Sequence, residues 1–123
     1  MIAVPVFHVV PTCGYLISDG KASVVFSGDT GPTEAIWAEA RRAVNLRAIF
    51  VECSFPDSMT PIAEISRHLT PASLKREMEK FPAGVPINLY HMKPPTIGEL
   101  KAEIAALAEP RVSLLDDGDE LRY

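Results

Sequence analysis

The chain has 123 residues, 47% of them hydrophobic and 23% charged, enough for one domain with its own core and too few for two. Its 12 basic and 16 acidic residues give a formal charge of −4, which argues against RNA or DNA as the main partner, because neutralising phosphates takes clustered Lys and Arg. Two cysteines, neither in a C-x-x-C pair, argue against a disulfide framework and against a thiolate zinc site; they read as small buried residues of a reducing cytoplasm.

Residues 1–10 are apolar but lack a basic leader and are interrupted by Pro5 and His8, so they are not a secretory signal. No run approaches the length of a membrane span. Residues 3–9 are rich in Val and Phe and predict a strand ending near His8. A second strand is expected over 15–18, with Asp19-Gly20 as a turn signal. A third, buried strand is expected over 23–27, closed by Gly28-Asp29-Thr30-Gly31. Three strands with short connections suggest a meander.

The hydrophobic period then changes. Ile36, Trp37, Ala40 and Val44 share one face of a helix expected over 32–43, with Pro32 suited to its first turn. Residues 47–52 predict a strand ending on Glu52. Thr70-Pro71 marks a helix start, a capping hydroxyl followed by proline, and Leu74, Met78 and Phe81 form its apolar stripe. A strand is expected over 85–90. Thr96 and Glu99 have capping-box spacing before a helix striped by Ile97, Leu100, Ile104 and Leu107. Residues 112–115 close as a short strand. The basic pairs Arg41-Arg42 and Lys75-Arg76 read as solvated helix faces. The alternation predicts a single α/β (α+β) domain over 1–123, a mixed sheet covered by helices.

The three histidines carry the chemistry. His8, Asp29, Glu52 and His91 each stand at or near a strand end, where loops open a crevice on a rigid platform. His68 opens His68-Leu69-Thr70-Pro71. Imidazole with carboxylate suits zinc, manganese or iron, and Asp29 is the natural bridging carboxylate. Each residue also has an ordinary reading. His8 and His68 could be packing or helix lead-in, Asp29 turn chemistry, and Glu52 the partner of Arg47 or Arg67. Trp37 and Tyr15 read as packing; Lys93, close after His91, could touch a substrate phosphate, with a surface lysine before two prolines as the commoner reading.

The order of the segments adds weight. His8-Val9-Val10-Pro11-Thr12-Cys13-Gly14-Tyr15, then Val25-Phe26-Ser27-Gly28-Asp29-Thr30, then Val51-Glu52-Cys53-Ser54-Phe55, then His68-Leu69-Thr70, then Leu89-Tyr90-His91 resembles the second half of the metallo-β-lactamase superfamily. Class II cyclic-nucleotide phosphodiesterases are the nearest branch, through His68-Leu69-Thr70-Pro71 and His91-Met92-Lys93-Pro94; tRNA 3′-processing nucleases are the next. The resemblance implies half of an αββα sandwich. It implies two divalent metals, zinc foremost and manganese or iron as alternatives, with His8, Asp29 and His91 as ligands. It implies His68 as general acid or charge stabiliser and Glu52 as the residue orienting it. The metals would polarise the phosphoryl oxygens of a cyclic nucleotide, cyclic AMP foremost, and make hydroxide available near neutral pH.

The superfamily's first motif, His-x-His-x-Asp-His, does not occur. The chain alone is therefore expected to be a poor metal binder and an inactive hydrolase, and to expose an apolar sheet face, covered by an N-terminal half or a second copy. The nuclease alternative predicts a basic surface and a long RNA-gripping insertion between Tyr15 and Ser27, and the sequence offers neither. A non-catalytic binding module is the third reading.

Overall fold

The computed structural model describes residues 1–123. Six strands form one sheet in chain order: β1 (Ile2–Pro5), β2 (Cys13–Ser18), β3 (Ser23–Phe26), β4 (Leu46–Glu52), β5 (Ile87–Tyr90) and β6 (Val112–Leu114). The first three are antiparallel neighbours, the expected meander. From β3 onward each strand runs parallel to the next. Parallel neighbours need a crossover, and the helices supply it. These are α1 (Ala35–Arg42), α2 (Thr60–Ser66), α3 (Pro71–Met78) and α4 (Ile97–Ala106).

Alternation along the strands divides the two faces. Val25, Ile49, Val51, Ile87 and Leu89 point into the core, where Ile36, Trp37, Leu74, Leu100 and Ile104 meet them from the helices. Trp37 is fully buried and packs on Phe81, with ring centroids 4.3 Å apart. The opposite face carries Tyr15, Ile17, Phe26, Phe50, Tyr90 and Leu115 around an apolar basin of about 650 Å³. Phe26 stacks on Phe50 at 4.3 Å. The tail reaches this face: Asn88 Nδ2 donates to the Tyr123 hydroxyl at 3.1 Å, and the Tyr123 ring stands edge-on to Phe50. Helices therefore cover one face and leave the other open. Tyr15 belongs to the open face and is 39% exposed, so it is not core packing.

Helix starts follow the capping chemistry in one case and depart from it in another. Thr70 caps α3: its side chain accepts from the Ser73 amide while the Ser73 hydroxyl accepts from the Thr70 amide. Thr96 does not cap α4. Its hydroxyl turns back to the Lys93 carbonyl, because a 3-10 turn over Pro94–Thr96 precedes the helix. α1 starts at Ala35 rather than Pro32, and β1 ends at Pro5 rather than near His8. Proline lacks the amide that continued pairing would use. His8 thus sits on the β1–β2 loop. α2, which no periodicity announced, follows a 3-10 turn over Asp57–Met59. Asp57 ties this stretch down, its amide donating to Glu103 and its carboxylate accepting from the Ala72 amide. No helix is long and apolar enough to cross a membrane.

Candidate metal centre

Because β3, β4 and β5 are parallel, their carboxyl ends lie at one edge of the sheet. Asp29 follows β3, Glu52 ends β4 and His91 follows β5. Two glycines let the first of these turns form. A Cβ on Gly14 would lie 2.7 Å from the Phe26 and Ser27 carbonyl oxygens, and one on Gly28, at φ +64°, would lie 2.6 Å from the Cys13 oxygen. β2 can therefore lie against the backbone that leads into Asp29.

Glu52 is the buried pivot. It is fully buried, and its carboxylate meets four donors. Oε1 accepts from the Thr30 amide at 2.9 Å and from His68 Nδ1 at 2.6 Å. Oε2 accepts from the Ser54 hydroxyl at 2.9 Å and the Leu69 amide at 3.3 Å. A carboxylate has about four acceptor directions, so this one is saturated. It has no acceptor direction left over for a cation and instead fixes its neighbours. Of the partners open to Glu52 in the sequence, the structure selects His68 over Arg47 and Arg67.

His8 is held by Arg67, 59 positions away. Its Nδ1 lies 3.1 Å from the Arg67 carbonyl, and the Arg67 guanidinium returns a 2.7 Å bond to the His8 carbonyl. The same guanidinium lies 4.2 Å from the centre of the Phe7 ring. Arg67 reaches this position with a left-handed backbone, φ 56° and ψ 59°, at a cost of about 1–2 kcal/mol for a non-glycine residue. A carbonyl only accepts, so His8 Nδ1 carries the hydrogen. The same logic applies to His68 against Glu52. In both rings Nε2 is then left with its lone pair free for a ligand.

The structure brings His8, Asp29 and His68 together, with one ligand atom from each lying within 4.8 Å of the others. Two imidazoles and a carboxylate form a donor set suited to zinc or a similar divalent ion. Each imidazole is braced by the protein through Nδ1, and ligating histidines are usually held in this way through one ring nitrogen. The residues therefore fit a cation. His91, at φ 66°, stands beside this trio. Its Nδ1 is 3.0 Å from Asp29 Oδ1, and its Nε2 is 3.1 Å from Lys93 Nζ.

Three participants were not singled out from the sequence. Ser54, fully buried, lies within 3.2 Å of His68 Nδ1 and 3.4 Å of His91 Nδ1 while donating to Glu52. Its position two residues beyond Glu52, just past the end of β4, was the available signal. Thr30 accepts from the Phe7 amide and so joins the His8 loop to the Asp29 turn. Arg67 left no sequence signal. Lys93 is half-buried at the site rather than a free surface lysine. Tyr90 lies behind, its hydroxyl 3.3 Å from Ser27 Oγ. Burial pushes its phenol up to about 12, so it stays protonated. Beside His68 a cavity of about 390 Å³ is lined by Arg67, Arg76, Thr70, Ser73 and Glu64. The larger apolar basin belongs to the open sheet face and touches the site only through Gly28 and Tyr90.

No family model matches the sequence, and no curated protein matches it. Solved structures do resemble it. The metallo-β-lactamase fold protein YhfI from Bacillus subtilis superposes with a TM-score of 0.71 at 18% identity, over 95% of this chain and 47% of that one. Human tRNase Z, short form, superposes with a TM-score of 0.69 at 17% identity, over 94% of this chain and 39% of that one. The chain spans less than half the length of either structure. It has the fold of one half of a metallo-β-lactamase-fold protein, with a six-stranded mixed sheet and helices on one face.

Proposed function

We propose that this chain is the second half of a metal-dependent phosphodiesterase acting on 3′,5′-cyclic nucleotides, cyclic AMP foremost. The observation that carries the reading is the convergence of His8, Asp29, His68 and His91 on one sheet edge around the saturated Glu52. In the complete enzyme two divalent cations, zinc foremost and manganese or iron as alternatives, would be held partly by His8, Asp29 and His91. Bound there, they would polarise the phosphoryl group and lower the pKa of water. Glu52 orients His68, which holds a proton for the leaving oxygen or stabilises charge on phosphorus. The cavity beside it, with Arg67 and Arg76, offers positive charge to a phosphate.

A second reading has its own support. The fold neighbour tRNase Z favours a nuclease trimming tRNA ends as much as a cyclic-nucleotide enzyme. The net charge of −4 and the short β2–β3 connection favour the small substrate. We assign the protein to the cytoplasm on its two free thiols and assign the open apolar face to an N-terminal half or a second copy.

The test is hydrolysis by the chain joined to a half bearing His-x-His-x-Asp-His, with zinc or manganese. Cleavage of cyclic AMP, abolished by Asp29→Ala, is expected. End-trimming of precursor tRNA without cyclic AMP cleavage would transfer the reading to the nuclease. A parental function untouched by Asp29→Ala would leave a non-catalytic module.

A further inference from the structure

The cavity beside His68 holds two arginines that the rest of the chain leaves without a carboxylate. Phe7 of the β1–β2 loop, Glu64 of α2, Arg67 and Arg76 of α3 line it, and its volume is about 390 Å³. Clefts of about 300–1,000 Å³ take small molecules. The half-buried Lys80 and Arg111 each have a carboxylate partner. Arg67 and Arg76 have none within 4 Å, in a chain with more acidic than basic residues. Arg67 is already fixed in place. Its Nη1 donates to the His8 carbonyl at 2.7 Å, and its guanidinium lies 4.2 Å from the centre of the Phe7 ring. The other N–H groups of its fork stay open to a ligand. The hydroxyls in the wall are committed elsewhere. Thr70 and Ser73 use theirs to cap α3, and the Ala72 amide donates to Asp57. Holding an anion therefore falls to the two guanidinia. Glu64 has no cationic partner within 4 Å either and leaves an acceptor in the same cavity.

We propose that this cavity binds a nucleoside 5′-monophosphate, with the phosphate on Arg67 and Arg76 and a sugar hydroxyl on Glu64. The inference rests on the phosphodiesterase reading for its nucleotide. Water that opens the 3′ phosphorus–oxygen bond of a 3′,5′-cyclic nucleotide leaves such a monoester, with the departing 3′ oxygen protonated. A phosphomonoester carries about 1.5–2 negative charges near neutral pH and three terminal oxygens, whereas the cyclic diester carries a single charge and has two such oxygens. Two guanidinium forks, each able to take a pair of oxygens, match the monoester better. Glu64 repels a bare anion and accepts from a hydroxyl, so it selects a nucleotide over inorganic phosphate. His68 forms part of the wall. A product lodged there obstructs the next substrate, and the enzyme is restrained by what it makes.

The experiment uses the 123-residue chain with a chelator present, so that no cation takes part. AMP, cyclic AMP and inorganic phosphate are titrated in turn by calorimetry, and the arginine side chains are followed by nuclear magnetic resonance. AMP should bind at least about tenfold more tightly than cyclic AMP and should shift the Nε–H signals of Arg67 and Arg76. Arg76→Gln should weaken AMP binding at least about tenfold, with part recovered in Arg76→Lys. Lys75→Gln removes the same charge from the neighbouring residue outside the cavity and should change AMP binding by less than about twofold. Arg76 is exposed, so the urea midpoint of Arg76→Gln should equal that of the natural chain and exclude a folding defect. Glu64→Gln should narrow the preference for AMP over inorganic phosphate. Equal affinity for AMP and cyclic AMP, equal losses in Arg76→Gln and Lys75→Gln, or no AMP binding up to about 10 mM would each overturn the proposal. AMP bound as described, with no cyclic AMP cleavage once both halves are joined, would sink the phosphodiesterase reading and leave this site standing. Cleavage by the joined protein without an AMP site would do the reverse.

Discussion

Replacing Glu77 by alanine should be among the most damaging single changes in the molecule. Its side chain is 2% exposed. One oxygen accepts from Trp37 Nε1 at 2.7 Å and from the Thr33 amide at 3.1 Å. The other takes Lys80 Nζ at 2.7 Å. Alanine orphans the indole and amide donors, at about 1–3 kcal/mol each. Lys80 keeps Glu34 at 2.6 Å and the Thr33 carbonyl at 3.0 Å, so its loss is smaller. The sum is about 4 kcal/mol, against a total stability of about 5–15 kcal/mol for a domain of this kind. With a urea slope of about 2 kcal/mol/M, the midpoint should fall by about 2 M. Trp37 is the only tryptophan and touches the mutated group, so its fluorescence reports the transition directly. Glu77→Gln keeps an acceptor for the indole and should lose only about 1–2 kcal/mol. A fall of less than about 0.5 M for the alanine variant, or equal damage from glutamine and alanine, would refute the account based on orphaned donors. Thr33 lies on the turn that follows Asp29, so the same variant should also loosen the metal centre.

Three further outcomes are expected. Burial drives the Cys53 thiol well above its usual value, and Glu52 adds to the effect, so in the native chain a thiol reagent at pH 8 should titrate only the half-buried Cys13 and reach Cys53 only after urea unfolding. Burial opposes charge on Lys80, but Glu34 and Glu77 outweigh it and leave the pKa raised. Its stabilisation is therefore complete below the ordinary value of 10.5 and fades as pH rises through the raised folded value, so urea midpoints measured from pH 9 to pH 11.5 should fall more steeply for the natural chain than for Lys80→Met. Gly98 lies in the first turn of α4 with nothing near a would-be Cβ, so Gly98→Ala should stabilise by about 0.5 kcal/mol, whereas Gly28→Ala, at positive φ and against the Cys13 carbonyl, should destabilise and weaken zinc binding, both read by thermal unfolding with and without the ion.

The elements with strong periodicity were legible in the sequence. β4 and β5 are nearly continuous apolar runs, as central parallel strands are. α3 carries both a stripe and a cap. The elements that went unseen lack such signals. α2 is seven residues long, buries only Ala63 and exposes Ile62 and Ile65, so it leaves no stripe to read. The end of β1 depends on Pro5, and the cap at Thr96 failed because Pro94 and Pro95 preset a tighter turn. At the site the gathering of these residue types was legible, because strand ends collect side chains whatever the loops do, but the histidine that lies within ligand distance of His8 and Asp29 is His68, where the sequence had pointed to His91. The bracing was not. Arg67 reaches His8 across 59 positions through its own left-handed backbone, and the seating of Lys93 on His91 depends on where the chain turns after β5. Spacing along a sequence records neither.

The two outer strands determine how copies of this chain can meet. β1 has four residues and ends in Pro5, and β6 has three and is preceded by Pro110. Short, proline-blunted margins offer few unpaired amides to an incoming strand, so ribbon-like growth from copy to copy is disfavoured at both borders. The broad exposed apolar surface is instead the face around Phe26 and Phe50. Two copies meeting there through a two-fold axis bury the same patch in each other, and the assembly closes at a pair. In concentrated solution this chain should therefore form finite dimers and resist becoming fibres.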